Sequence, residues 1–246
     1  MKKLSLLRKN GSGNKTQKPI NQNEGLKKDL WNLAQITGNL LILGGILYLI
    51  VWSYPVVSAN LFYYYHNLRG YRYQVSADPQ PSKNNDFTNF LEKPKEPLKI
   101  VPSSTEFGIV IEKINVNAPI VPEVDPTNAD EYSTALNQGV AHALGTVFPG
   151  QVGNSFLFSH STFNVFEISK YKAIFTLLNK LETGDRVVTF YKGERFDYEV
   201  AEVKVVPPTD VTSLIAKYDT PVLTLQTCDP PGTDLNRLIV IAHLIK

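Results

Sequence analysis

The chain of 246 residues has one cysteine and one methionine. A lone Cys228 excludes any internal disulfide and any thiolate-rich zinc site. No Gly-rich phosphate cradle and no internal repeat is present, so nucleotide-loop enzymes and solenoids are excluded. Charge is missing from a long stretch: Leu30 to Leu68 contains no Asp, Glu, Lys or Arg. Basic excess is also missing from most of the chain. Residues 1–30 hold eight Lys/Arg and two Asp/Glu; of the totals of 25 and 23, the remaining residues hold 17 basic and 21 acidic side chains. A basic tail on a mildly acidic body argues against nucleic-acid binding, which needs a basic folded surface.

The tail, 1–30, is too polar to build a core. After it, Ile36 to Val57 is dominated by Leu, Ile, Val and Gly. As a helix at ~1.5 Å per residue these positions extend ~33 Å, enough for a bilayer core of ~30 Å. The preceding lysines predict a cytoplasmic N-terminus and an external remainder. Trp52, Tyr54, Phe62, Tyr63, Tyr64 and Tyr65 suit the outer interface. Val57-Ser58-Ala59 resembles a signal-peptide cleavage site, but the long charged region and long apolar run favour an uncleaved anchor over 31–60. Residues 61–105 then read as a juxtamembrane aromatic segment and an extended linker, with Ser76 to Ser104 rich in Pro, Lys, Asn and Ser.

Residues 106–246 are enough for one core. Phe107–Val116, Ala118–Val121, Ser155–His160, Val222–Thr227 and Arg237–Ile245 read as strands. Arg186–Tyr191 and Arg195–Val206 read as a hairpin around Gly193. Asn128–Asn137 predicts a short helix, Tyr171–Leu181 a second, and Asp210 caps a third reaching Lys217. Many short strands with a few short helices predict a mainly-β barrel.

Chemistry concentrates at three strand edges. Val222-Leu223-Thr224-Leu225-Gln226-Thr227-Cys228 is an apolar, β-branched run ending in a thiol, broken by Pro230, Pro231 and Gly232. Arg237 opens the next apolar run, and His160 closes an earlier one. Cys, His and Arg are the parts of a thiol acyl-transfer site: the thiolate attacks, an imidazole moves the proton, a guanidinium meets the developing oxyanion.

Thr224-Leu225-Gln226-Thr227-Cys228 resembles the TLxTC signature of sortases, membrane-anchored cysteine transpeptidases of bacterial cell surfaces. Ile111 to Val121, Gly139 to Thr146, and Pro149-Gly150 with Gly153-Asn154 resemble further segments of that family in the same order. The resemblance implies an eight-stranded barrel and the catalytic residues Cys228, His160 and Arg237. It also implies cleavage of an LPxTG-like sorting signal between Thr and Gly through a thioester, with transfer to an amine on a peptidoglycan precursor or another surface protein. Thr227, Thr224 and His142 are expected to contact substrate. Ser159-His160-Ser161 departs from the family's usual flank. No second apolar segment follows the domain up to Lys246, so an anchoring, class D- or E-like enzyme is expected over a pilin polymerase. A hydrolysing endopeptidase and an inactive peptide-binding module are the alternatives.

Glu123, Asp125, Asp130 and Glu131 are oxygen donors of the kind calcium takes, but match no EF-hand spacing, so no required metal or cofactor is expected. His66 and His243 read as structural.

Overall fold

In a computed structural model, residues 22–76, 97–161 and 174–246 are described. The chain divides into two compact units, Met1–Leu49 and Ile50–Lys246. Helix α1, Gln22–Arg69, supplies the described part of the first unit and continues into the second. Within it, Leu30–Tyr54 is long and apolar enough to cross a membrane and is not buried by protein. This candidate span starts one residue before the anchor expected over 31–60 and ends at Tyr54, while the helix itself extends through the aromatic segment. It stops at Gly70, whose φ of 74° is left-handed. Tyr71 N–H donates to His66 O and Gly70 N–H to Asn67 O, closing the last turn.

Eight strands form a closed barrel. They are β3 (Phe107–Ile111), β4 (Val116–Val124), β5 (Val140–Ala143), β6 (Gly153–Phe158), β7 (Arg186–Tyr191), β8 (Glu194–Val206), β9 (Pro221–Asp229) and β10 (Asn236–Leu244). Their order around the wall is β10-β8-β7-β3-β4-β5-β6-β9, with β9 and β10 paired to close the ring. Closure leaves no open barrel edge. Two short helices, α2 (Ala129–Leu136) and α3 (Thr212–Ile215), lie in connections.

Period-two alternation assigns the residues of each strand to the two sides of the wall. Ile109, Ile111, Val187, Leu223, Leu225, Leu238 and Val240 fill the interior with Phe175 and Tyr198. Alternate residues face outward and are covered locally. Val222, Ile239 and Ile241 lie under Tyr218 and Val206. Gly150 turns the chain into β6 with φ 85°; a Cβ there would fall 2.2 Å from the Phe196 ring, and its N–H donates to Tyr198 Oη at 2.8 Å.

Three sequence expectations change. The linker is not spacer throughout: β2 (Leu98–Ile100) pairs in parallel with β1 (Tyr73–Val75). Val75 and Ile100 bury against Val110, Val188 and Phe190 on the outside of the barrel, and Val75 N–H donates to Glu112 Oε1 at 2.8 Å. The alternation in Leu98-Lys99-Ile100 was overshadowed by the prolines before it. Second, of Tyr171–Leu181 the described part is a turn followed by a single 3-10 turn at Leu178–Lys180, because Phe175, Leu177 and Leu178 all point to one core; the rest lies outside the described residues. Third, α3 is shorter than expected, with Asp210 accepting from Thr212 N–H just before it. The hairpin β7–β8 and α2, capped by Asn128 accepting from Glu131 N–H, match the sequence reading.

The β1–β2 pair carries a measurable consequence. A chain beginning at Glu106 loses Val75 and Ile100 and uncovers three buried side chains. Burial of two such residues contributes about 3–5 kcal/mol. Relative to a chain beginning at Tyr71, its melting temperature is expected to fall by roughly 10 °C. Equal melting temperatures in calorimetry would show that the pair contributes no stability.

Candidate active site

Cys228 is the penultimate residue of β9, and Arg237 the second residue of β10. The antiparallel register sets Arg237 directly opposite Cys228. Opposite residues share a face, with Cβ atoms ~4.5–5.5 Å apart. Counting in twos from the inward Leu225 and Leu238 puts both on the outer face of the wall.

β6 runs parallel to β9 on the other side, with Phe158 paired to Gln226. Ser159 N–H donates to Gln226 O, continuing the ladder. The next step of that register brings His160 level with Cys228. β6 itself ends at Phe158, so His160 lies two residues beyond the strand and does not close it. Two bonds hold it there: Thr227 Oγ1 donates to Ser159 O at 2.8 Å, and Phe175 N–H donates to His160 O at 3.3 Å. Three residues far apart in sequence thus come to one end of one outer face.

The thiol is half-buried and donates to Asp234 Oδ1 at 3.6 Å. Burial pushes the Cys228 pKa above its ordinary range; the Arg237 guanidinium pulls it down, and the Asp234 carboxylate pushes it further up. Arg237 Nη1 donates to the main-chain carbonyls of Asn236 and Asp234, at 3.1 and 3.4 Å.

The residues expected to contact substrate sit elsewhere. Thr227 is buried and spent on Ser159 O. Thr224 is fully buried, its Oγ1 donating to Asn154 Oδ1 at 2.7 Å. Asn154 Nδ2 donates in turn to Ser213 O at 2.9 Å, pinning the β8–β9 connection over the outer face. The signature threonines therefore build the site without lining it. His142 is fully buried inside the barrel, across the wall from Cys228. Its ring stacks on Phe148 at 4.8 Å, Nε2 lies 3.0 Å from Thr146 Oγ1 and 3.1 Å from Val147 O, and Nδ1 accepts from Glu123 N–H at 3.4 Å. Burial holds its pKa below the usual histidine range. A glycine-flanked histidine looks loop-like in sequence; its pairing as part of β5 makes it core.

His66 lies between the Phe62, Tyr71 and Tyr73 rings, with Nδ1 2.6 Å from Tyr73 Oη, a structural place as expected. His243 is exposed near the far end of β10 instead of packed. The acidic loop is used locally. Asp125 Oδ1 accepts from Thr127 N–H at 2.8 Å, and Glu131 Oε1 from Asp125 N–H at 3.0 Å. Among the described residues, no group of three or more His, Cys, Asp or Glu is placed to hold a metal ion. The sequence reading missed Asp234, which stands in the polar turn after the apolar run, and it named Asn154 only within a family segment, without its bonds to Thr224 and Ser213.

A closed eight-stranded barrel with a thiol and a guanidinium paired at one end defines the architecture in which the comparisons fall. The sortase domain family matches residues 109–245, more than half of the chain. Similar solved structures include sortase C-1 from Actinomyces oris, at 31% identity, covering 57% of this chain and 73% of that one, TM-score 0.47. A Clostridium perfringens sortase D5 transpeptidase is 27% identical, covering 58% and 80%, TM-score 0.46. Sortase C1 from Streptococcus suis is 28% identical, covering 58% and 74%, TM-score 0.48. No curated protein matches. On that family match the chain belongs to the sortase family and is a cysteine transpeptidase.

Proposed function

We propose that this chain is a membrane-anchored sortase that cleaves an LPxTG-like sorting signal between Thr and Gly and joins the acyl fragment to an amine at the cell surface. The observation that carries the site assignment is the β9–β10 register, which sets Arg237 opposite the only thiol of the chain. Cys228 is the nucleophile, His160 the general acid, and Arg237 the oxyanion donor.

The Cys228 thiolate attacks the Thr carbonyl carbon and an S–C bond forms. Charge moves to the carbonyl oxygen, where Arg237 donates. The two neutral carbonyls that now accept from Arg237 are weaker acceptors than an oxyanion, so the guanidinium is available to it. When the tetrahedral species collapses, the C–N bond breaks and His160 protonates the leaving amine of Gly. The acceptor amine then attacks the thioester, gives up a proton to His160, and the thiolate leaves. Water in place of the amine gives hydrolysis.

The span Leu30–Tyr54 anchors the enzyme, with the lysine-rich end inside and the barrel outside. Its substrates are surface proteins bearing C-terminal sorting signals. Its acceptor is an amine of a peptidoglycan precursor or of another surface protein, and anchoring in the manner of class D or E is the reading preferred over pilin assembly.

The test uses the full chain in detergent with LPxTG-like peptides, with and without glycine-type amines, followed by intact mass. A mass gain on the protein and an amine-linked product are expected. A free-acid product alone, across a range of amines, would replace transfer by hydrolysis. No adduct with any peptide would leave a binding module as the better reading.

A further inference from the structure

The turn between β9 and β10 carries one carboxylate aimed at the nucleophile. Asp234 Oδ1 receives the Cys228 S–H at 3.6 Å, while the Asp234 side chain is otherwise exposed to solvent. The guanidinium three residues on does not take up that carboxylate. Its hydrogen bonds within the described residues go to the main-chain oxygens of Asp234 and Asn236. The loop therefore turns its negative charge toward the sulfur and its neutral carbonyls toward the cation.

Four titratable groups face or flank the thiol. Asp234 comes from the turn, Arg237 from β10, His160 from the segment after β6, and Asp229 follows on the same strand. The Asp234 carboxylate accepts from the S–H and, as a negative charge beside the sulfur, disfavours the thiolate.

We propose that Asp234 is a positioning residue that keeps the resting Cys228 protonated and must release it before attack. This rests on the sortase reading of the site. The peptide displaces the exposed carboxylate toward solvent. The thiol proton then passes to His160, and the sulfur is left beside Arg237. The nucleophile is thus held back until a carbonyl carbon is in place to receive it.

The test measures iodoacetamide alkylation of the full chain in detergent from about pH 6 to about pH 10, for wild type, Asp234→Asn and Asp234→Ala. Asn keeps the shape and removes the charge. Both variants are expected to move the midpoint down by about one pH unit, giving roughly tenfold faster alkylation near neutral pH. A merely structural role for Asp234 leaves that midpoint where it is in wild type, and this result would overturn the proposal. Alkylation needs no peptide, so the two readings fail separately. A shifted midpoint with no acylation by any peptide supports the role of Asp234 and sinks the substrate assignment. Acylation with an unshifted midpoint does the reverse.

Discussion

Cys228→Ala is expected to abolish acyl-enzyme formation, with no mass gain under conditions that acylate the wild type. The chain has no second thiol that could substitute. Covalent catalysis here depends on one atom, because neither imidazole nor guanidinium at this end of the barrel can form a stable thioester. The fold should survive the change. Cys228 is half-buried on the outer face, and the interior of β9 is filled by Leu223 and Leu225, which it does not touch by parity. Removal of one sulfur from such a place costs about 1 kcal/mol or less. Unchanged melting together with lost acylation therefore separates chemistry from folding. Any acylation of Cys228→Ala would move the nucleophile to another residue and undo the site assignment.

Arg237→Ala is expected to slow acylation by roughly 10²–10³-fold, the scale on which removal of an oxyanion donor acts. Arg237→Lys should recover part of that loss, since it restores the charge but not the planar fork. A second consequence distinguishes an electrostatic role from damage to the turn. Arg237 draws the thiol pKa down. Its loss should therefore shift the alkylation midpoint to higher pH, opposite in sign to Asp234→Asn. Pre-steady-state acylation together with the alkylation profile reads both effects. Full acylation rates in Arg237→Ala would remove it from the oxyanion role and leave it as a support of the β9–β10 turn.

The cation and the carboxylate thus act on one sulfur in opposite senses, from residues 237 and 234 of a single turn. His160 reaches the same place by a different route, carried on the parallel ladder of β6 and β9. Because parallel neighbours advance in step, both strands deliver their C-terminal ends to one rim. Toward the opposite ends of these two strands, Asn154 holds the β8–β9 connection over the outer face through Ser213.

Much of this was legible in the chain. The uncharged stretch from Leu30 to Leu68 has no charged face, so a long apolar helix is legible there, and Leu30–Tyr54 is long and apolar enough to cross a membrane. The thiol, the guanidinium and the imidazole were visible because each interrupts or borders a β-branched run, and local alternation specifies strands without knowledge of partners. Tertiary structure decided what depends on distant partners. Thr224 and His142 looked like site residues from their neighbours in sequence, yet His142 turns into the barrel and Thr224 is covered on the outer face by the β8–β9 connection, and a buried polar group must find its hydrogen bonds. Leu98–Ile100 became a strand only because Val75 and the outer side of β7 stood ready to cover it. Asp234 gained its role from a turn that folds a carboxylate back six residues onto the sulfur. Local propensity and composition act within a few residues and so are written in the sequence. Register, burial and the field at the thiol are set by groups that meet only after the barrel closes.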